Sequence, residues 1–119
     1  MIIGICGLIG AGKDTIADHL VNDHSFVKLS FADKLKDSVA TMFDWNRDLL
    51  DGKTEQSRKW REQMDPFWSM ELKHEVTPRL VLQKFGTECM RDGFYDGIWV
   101  SLVKKKLNIP YLIDQHLLE

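Results

Sequence analysis

The stretch from Gly7 to Thr15, GLIGAGKDT, has the spacing G-x-x-x-x-G-K, which is typical of a loop that binds a phosphate chain. Glycines in such a loop let the backbone turn so that several N–H groups point at one anion, and Lys13 adds a full positive charge. Asp14 stands where Ser or Thr usually contacts magnesium, and either holds magnesium through water or turns its carboxylate away from the phosphates. The candidate phosphate-binding residues are Gly7, Gly10, Ala11, Gly12, Lys13, Asp14 and Thr15, and the candidate magnesium contacts, through water, are Asp14 and Thr15.

A second group of polar residues recurs every four positions on a predicted helix that begins at Thr77-Pro78. Gln83, Thr87 and Arg91 share one face of this helix, with Gly86 between them. A binding face needs such residues, because glycine allows close approach and arginine can grip a phosphate with two hydrogen bonds. An ordinary solvated face remains the alternative, and the spacing does not separate the two.

The elements around the loop predict an α/β arrangement. Ile2 to Cys6 is a continuous apolar run of the kind found in buried parallel strands, and Phe26 to Phe31 reads as a second strand. Between them, an apolar stripe at helical spacing predicts a helix after the loop. These three elements form a βαβ unit. The stripe consists of Ile16, Ala17, Leu20 and Val21.

The remainder of the chain is predicted to be mostly helical. Asp33 is the expected N-cap of a second helix, and residues 47–72 are expected to be irregular. The helix from Pro78 is expected to run to about Arg91, and Asp96 to open another helix. Tyr111 to Ile113 is expected to form a short third strand. The predicted buried face of the second helix consists of Ala32, Leu35, Val39, Met42 and Phe43.

Composition places the chain among ordinary globular proteins. It has 119 residues, 44% of them hydrophobic, and a net charge of −2, which gives no sign of a partner nucleic acid. The apolar start is too short to span a bilayer, so no membrane partner is expected. Cys6 and Cys89 lie in apolar patterns and are expected to be reduced core thiols of a cytoplasmic protein.

Five stretches in order carry a resemblance to a known family: GKDTIADHL, LSFADKLKD, SRKWRE, LQKFGTECMRDGFYDGIWV and YLID. With them the chain resembles a deoxynucleoside monophosphate kinase of the bacteriophage type, over nearly its whole length. The resemblance implies a P-loop NTPase-like three-layer α/β/α fold with a parallel sheet, of which about three strands would be present. It also implies a single domain, 1–119, in which residues 32–108 form a helical acceptor-binding region.

The resemblance implies a reaction and a set of site residues. The γ-phosphoryl group of ATP would pass to a deoxynucleoside 5'-monophosphate with the help of Mg²⁺, so the expected partners are small nucleotides. The loop would hold ATP, and Lys13 and Arg91 would be catalytic. Trp99 is either an acceptor-site aromatic or plain core, and Asp114 is a weak metal candidate. The implied acceptor-binding residues are Phe31, Lys34, Arg58, Trp60, Arg61, Gln83, Gly86, Thr87, Arg91 and Trp99. Of these, Arg58, Trp60 and Arg61 would lie in a mobile segment that covers the acceptor, or on a solvated helix with Glu55–Lys59 pairing, and both interpretations stay open.

The pattern departs from the family after YLID, where the chain reads QHLLE. We expect a C-terminally shortened kinase without a lid or last strands, in which Ile2 to Cys6 would become an open sheet edge. Such an edge predicts a homo-oligomer. Two other functions stay open: a nucleotide-binding remnant without turnover, and another small P-loop kinase such as one acting on a coenzyme precursor.

Overall fold

The computed structural model describes residues 3–6 and 12–107. The chain divides into two compact units, Met1–Ser30 and Phe31–Glu119, which are considered separately below. Within the described ranges the secondary structure is helical, with turns between the helices and no β-strand. The boundary between the units lies next to the start of the predicted acceptor-binding region, and the assignment of domains remains a prediction.

The predicted three-layer α/β/α fold with a parallel sheet is wrong. Neither residues 3–6 nor residues 26–30 form a strand, and Val27 in the second of these segments is 84% exposed. An apolar β-branched run favours a strand only when a neighbouring strand completes its hydrogen bonds, and within the described part of the chain neither segment has such a neighbour. The predicted third strand, 111–113, lies outside the described residues. Residues 3–6 form no sheet edge through which two chains could pair, so the expected homo-oligomer has no support from this segment and remains a prediction.

In the described part of the first unit there is one helix, α1 (Lys13–His24). The helix predicted after the loop is therefore confirmed. It begins after Gly12, whose φ of 85° lies in the left-handed region, and it ends at Ser25, whose N–H donates to the carbonyl of Leu20. Lys28 pairs with Asp18 of α1 at 3.5 Å, which holds the chain after the helix against it.

The described part of the second unit is built from helices, and four of them begin at polar caps. Its elements are α2 (Asp33–Phe43), α3 (Arg47–Asp51), α4 (Glu55–Arg61), α5 (Pro66–Leu72), α6 (Pro78–Gln83), a π-helix π1 (Lys84–Asp92) that continues α6, and α7 (Ile98–Leu107). Side-chain oxygens of Asn46, Thr54, Asp65 and Thr77 accept backbone N–H groups at the starts of α3, α4, α5 and α6. Each cap satisfies donors that a helix of one or two turns otherwise leaves unpaired.

These caps explain which sequence predictions hold. The start at Thr77-Pro78 is confirmed, and the helix extends to Asp92 as α6 and π1. The irregular segment predicted for residues 47–72 is wrong, because three capped helices occupy it. Asp33 is the first residue of α2 and Ala32 its N-cap, so the predicted cap is displaced by one residue.

The core of the second unit forms where α2, α3 and α6 meet. Val39 and Leu50 are fully buried and Leu82 is 9% exposed. Aromatic rings close around them: Phe43 stacks on Trp45 at 4.9 Å, and Trp45 meets Trp60 edge to face at 5.7 Å. The core therefore joins helices that lie far apart in the sequence.

Three burial predictions are wrong. Met42, assigned to the buried face of α2, is 63% exposed, although Val39, one turn earlier in the same helix, is fully buried. Cys6 and Cys89 are free thiols, as expected, but both are exposed rather than buried.

Among the described residues, no helix combines the length and the apolar character that crossing a membrane requires.

Replacement of Leu50 tests the core. Leu50→Ala is expected to lower the free energy of unfolding by about 2–5 kcal/mol, because a fully buried leucine leaves a cavity. Met42→Ala on α2 removes an exposed side chain and is expected to change the free energy of unfolding by less than about 0.5 kcal/mol. Urea unfolding of the three proteins measures both values, and equal stability of the two variants would contradict this core.

Candidate functional site

The start of α1 has the geometry of an anion-binding helix end. Gly12 adopts a left-handed conformation that glycine reaches without strain, and Lys13 is the first residue of the helix. Gly12, Lys13 and Thr15 are exposed. The first N–H groups of a helix have no partner within it and carry partial positive charge, so this end can receive a phosphate.

Part of the predicted loop falls outside the described residues. That holds for Gly7, Gly10 and Ala11, and for the weak metal candidate Asp114. Asp14 lies in the first turn of α1, as the sequence indicates. Among the described residues, His, Cys, Asp and Glu side chains do not come together in threes as a metal site. Magnesium at Asp14 and Thr15 through water therefore remains a prediction.

The predicted acceptor face lies on α6 and π1. Gln83, Thr87 and Arg91 are all exposed, as a ligand-binding row requires. Gly86 is buried, and a Cβ atom there would lie 3.0 Å from Cδ2 of Leu35. The close approach that this glycine permits is therefore with α2 inside the protein.

Trp99 of α7 is brought to the same glycine. Its indole N–H donates to the carbonyl of Gly86 at 3.0 Å, which ties α7 to π1. Phe31 and Lys34 lie at the start of α2, one turn or less from Leu35, and both are exposed. The contact of Leu35 with Gly86 thus brings the two predicted acceptor segments together within the second unit.

The predicted acceptor-covering residues of α4 are engaged in the structure itself. Arg58 donates to the carbonyls of Gly52 and Lys53, at 3.3 and 3.2 Å. Arg61 donates to the carbonyl of Leu50 at 3.4 Å, and Trp60 packs into the core. A role for Arg58, Trp60 and Arg61 at the acceptor remains a prediction.

Positively charged groups crowd around Arg61. Its guanidinium lies over Gly52, where a Cβ atom would collide with it, and its Nε atom is buried without a hydrogen-bond partner among the described residues. Burial lowers the pKa of Arg61, and the nearby charges of Arg79 and Arg58 act in the same direction, whereas two nearby carboxylates oppose them. The positive charge around Arg61 is therefore only partly compensated within the protein.

Lys36 belongs to the same region and is a candidate that the sequence analysis missed. Burial lowers the pKa of Lys36, and Asp51, 3.6 Å from its Nζ atom, opposes this effect only in part. Residues two apart on a helix face different sides, so Lys34 and Lys36 of DKLKD cannot share one surface. From this rule the sequence analysis could have expected one of the two lysines to lie toward the protein and the other toward solvent, as Lys36 and Lys34 do.

Arg47 holds the negative side of this region in place. Its guanidinium contacts Asp37 at 2.6 Å, Asp51 at 2.5 Å and Asp33 at 3.6 Å. Burial alone would raise the pKa of Asp51, but the hydrogen bond and charge of Arg47, with the charge of Lys36, outweigh it and lower that pKa below its ordinary value. Asp51 is therefore the carboxylate that compensates both cations.

Comparison with known proteins supplies one relative. Over 104 residues the chain is 35% identical to a protein of Acanthamoeba polyphaga mimivirus named "Putative deoxynucleotide monophosphate kinase". The match covers 87% of this chain and 49% of the relative, so the chain spans about half the length of the curated relative it matches. No family model matches the chain, and no solved structure does so either. The chain thus has a kinase-like relative of viral origin.

The Asp51 interactions predict a dependence of stability on pH. Because the pKa of Asp51 is lower in the folded state than its ordinary 3.8, its contribution is complete above that pH and is lost as the pH falls through the folded value. Asp51→Asn is expected to lower the free energy of unfolding by about 1–3 kcal/mol at pH 7 and to reduce its fall in acid.

Asp48→Asn provides the control, since Asp48 is an exposed residue of the same helix. Chemical unfolding between pH 2 and pH 7 measures the curves. Equal acid sensitivity of the wild type and the Asp51 variant would contradict the assignment.

Proposed function

We propose that this chain acts in phosphoryl transfer from ATP to a deoxynucleoside 5'-monophosphate, with Mg²⁺ as the metal. The observation that carries the proposal is the junction of the loop with α1, where G-x-x-x-x-G-K runs into the helix through a left-handed Gly12. The name of the viral relative supports a kinase and suggests the class of acceptor.

The start of α1 would bind the donor. The helix N–H groups and Lys13 offer positive charge and hydrogen bonds to the phosphates of ATP, and Mg²⁺ would be held near Asp14 and Thr15. Phosphoryl transfer needs little covalent help from the protein. It depends on bringing two anions into line and on stabilising the charge that moves between them.

The second unit would bind the acceptor. Gln83, Thr87 and Arg91 present an amide, a hydroxyl and a guanidinium on one exposed row, which suits a sugar and its phosphate. The cations around Arg61, including Lys36, add positive charge to the same unit. Both groups lie on helices whose positions depend on the buried core of this unit.

Lys13 tests the donor side and the reaction together. The full chain is incubated with ATP, Mg²⁺ and each deoxynucleoside 5'-monophosphate in turn, and formation of the diphosphate is followed. Lys13→Ala is expected to weaken ATP binding in calorimetry by about 1.5–3 kcal/mol, the loss of a charge-assisted hydrogen bond, and to abolish turnover.

Lys105→Ala, at an exposed position in the last turn of α7, is the control for a lost lysine charge. If the Lys13 variant binds ATP as the wild type does, the loop is not the donor site. Binding of both nucleotides without diphosphate formation would leave a nucleotide-binding protein and contradict the kinase proposal.

Arg91 tests the acceptor side. Arg91→Ala is expected to weaken binding of the monophosphate by about 1.5–3 kcal/mol and to leave binding of the nucleoside unchanged, because only the monophosphate offers an anion. Lys84→Ala is a matched control, since Lys84 is also on π1 and its ion pair with Glu88, at 3.3 Å, has the same length as that of Arg91. Similar monophosphate affinities for the wild type and the Arg91 variant would contradict the acceptor assignment.

A further inference from the structure

The turn after π1 brings a carboxylate beside Arg91. Phe94 and Tyr95 both donate their backbone N–H groups to the carbonyl of Met90, at 3.1 and 2.9 Å, so the chain curls back over the end of π1. Asp96 is the next residue, and its Oδ1 atom lies 3.3 Å from Nη2 of Arg91. The sequence analysis expected Asp96 to open a helix and gave it no role in binding, whereas α7 begins at Ile98.

Two glycines determine the path of this turn. A Cβ atom at Gly93 would collide with the carbonyl oxygen of Cys89, and a Cβ atom at Gly97 would lie 2.8 Å from the ring of Tyr95. Larger residues at either position would force the backbone or the ring to move. Asp96 is therefore held between two places where the chain packs closely on itself.

The helix after the turn is also fixed relative to π1. The indole N–H of Trp99 donates to the carbonyl of Gly86, on the helix that carries Arg91. The backbone at Asp96 is thus constrained on its N-terminal side by the turn and on its C-terminal side by α7. The carboxylate accordingly has a defined approach to the guanidinium.

The ion pair between Arg91 and Asp96 is too exposed to contribute much to the stability of the fold. The Arg91 side chain is 49% exposed and that of Asp96 is 84% exposed, and ion pairs this open to water contribute little to folding. The guanidinium carries five N–H donors, so one contact with Asp96 leaves most of them for another anion. An arginine already held in one orientation loses less side-chain entropy when that anion binds.

We propose that Asp96 is a positioning residue for Arg91, which it holds oriented for the phosphate of the acceptor nucleotide. The inference rests on the proposed acceptor role of Arg91. The negative charge of Asp96 also repels a phosphate bound to the same guanidinium, and the inference requires the orientation of Arg91 to outweigh that repulsion.

A double-mutant cycle tests this inference on the full chain. Calorimetry measures the dissociation constants of the deoxynucleoside 5'-monophosphates and of the matching nucleosides for the wild type, Asp96→Ala, Arg91→Ala and the double variant. Asp96→Ala is expected to weaken monophosphate binding about two- to fivefold, the range of an exposed ion pair, and to leave nucleoside binding unchanged. In the Arg91→Ala background the same change is expected to have no effect.

Two further variants separate positioning from general structure. Asp96→Asn keeps an acceptor oxygen and is expected to recover part of the monophosphate affinity. Glu88→Ala breaks the ion pair between Lys84 and Glu88, which lies on the same helix and has the same length as the pair of Arg91. It is expected to change the binding of neither the monophosphate nor the nucleoside. Thermal unfolding of each variant confirms that it is folded.

The outcomes distinguish this inference from the proposed function. Tighter binding of monophosphate to Asp96→Ala in both backgrounds would mean that repulsion dominates, and unchanged binding would mean that Arg91 needs no partner. Either result overturns the inference while a weakened Arg91→Ala variant still supports the acceptor site. Normal monophosphate binding by Arg91→Ala would overturn both.

Discussion

The position of α3 controls much of the second unit. This helix has five residues, too few to be stable alone, and it is held because Leu50 is fully buried between the helices that carry Val39 and Leu82. The next residue, Asp51, meets two cations, and the carbonyl of Leu50 accepts from Arg61. The burial of Leu50 thus determines where the carboxylate of Asp51 and the guanidinium of Arg61 lie.

The charges around α3 are only partly compensated. Asp51 offsets Lys36 and Arg47. Arg61 has charges of both signs nearby, and its buried Nε atom has no hydrogen-bond partner among the described residues. A protein selected for stability alone would gain by replacing such a group or by pairing it. Perturbed ionisable groups concentrate at functional sites, and under the proposed function the anionic acceptor would supply part of the missing compensation.

Predictions from local sequence signals were confirmed where the residues that determine an element all lie within that element. The helix after the loop and the start at Thr77-Pro78 depend on capping, proline geometry and the spacing of apolar residues within a few positions. The strands failed because a strand needs hydrogen bonds from a partner that may lie anywhere in the chain, and Ile3 to Cys6 has no such partner in the described residues. The three helices of residues 47–72 were overlooked although Asn46, Thr54 and Asp65 stand at their starts, since each is too short to show a clear apolar period.

By itself the sequence determined which chemical groups are available: a glycine-rich loop ending in Lys13, a row of polar residues ending in Arg91, and a capped helix start at Thr77-Pro78. Only the tertiary structure decided what those groups meet. Gly86 faces Leu35 inside the protein, Trp60 enters the core, and Lys36 lies near Arg61. The reason is physical, because spacing along the chain orders the side chains of a single helix, whereas contacts between distant helices follow from how their apolar faces pack.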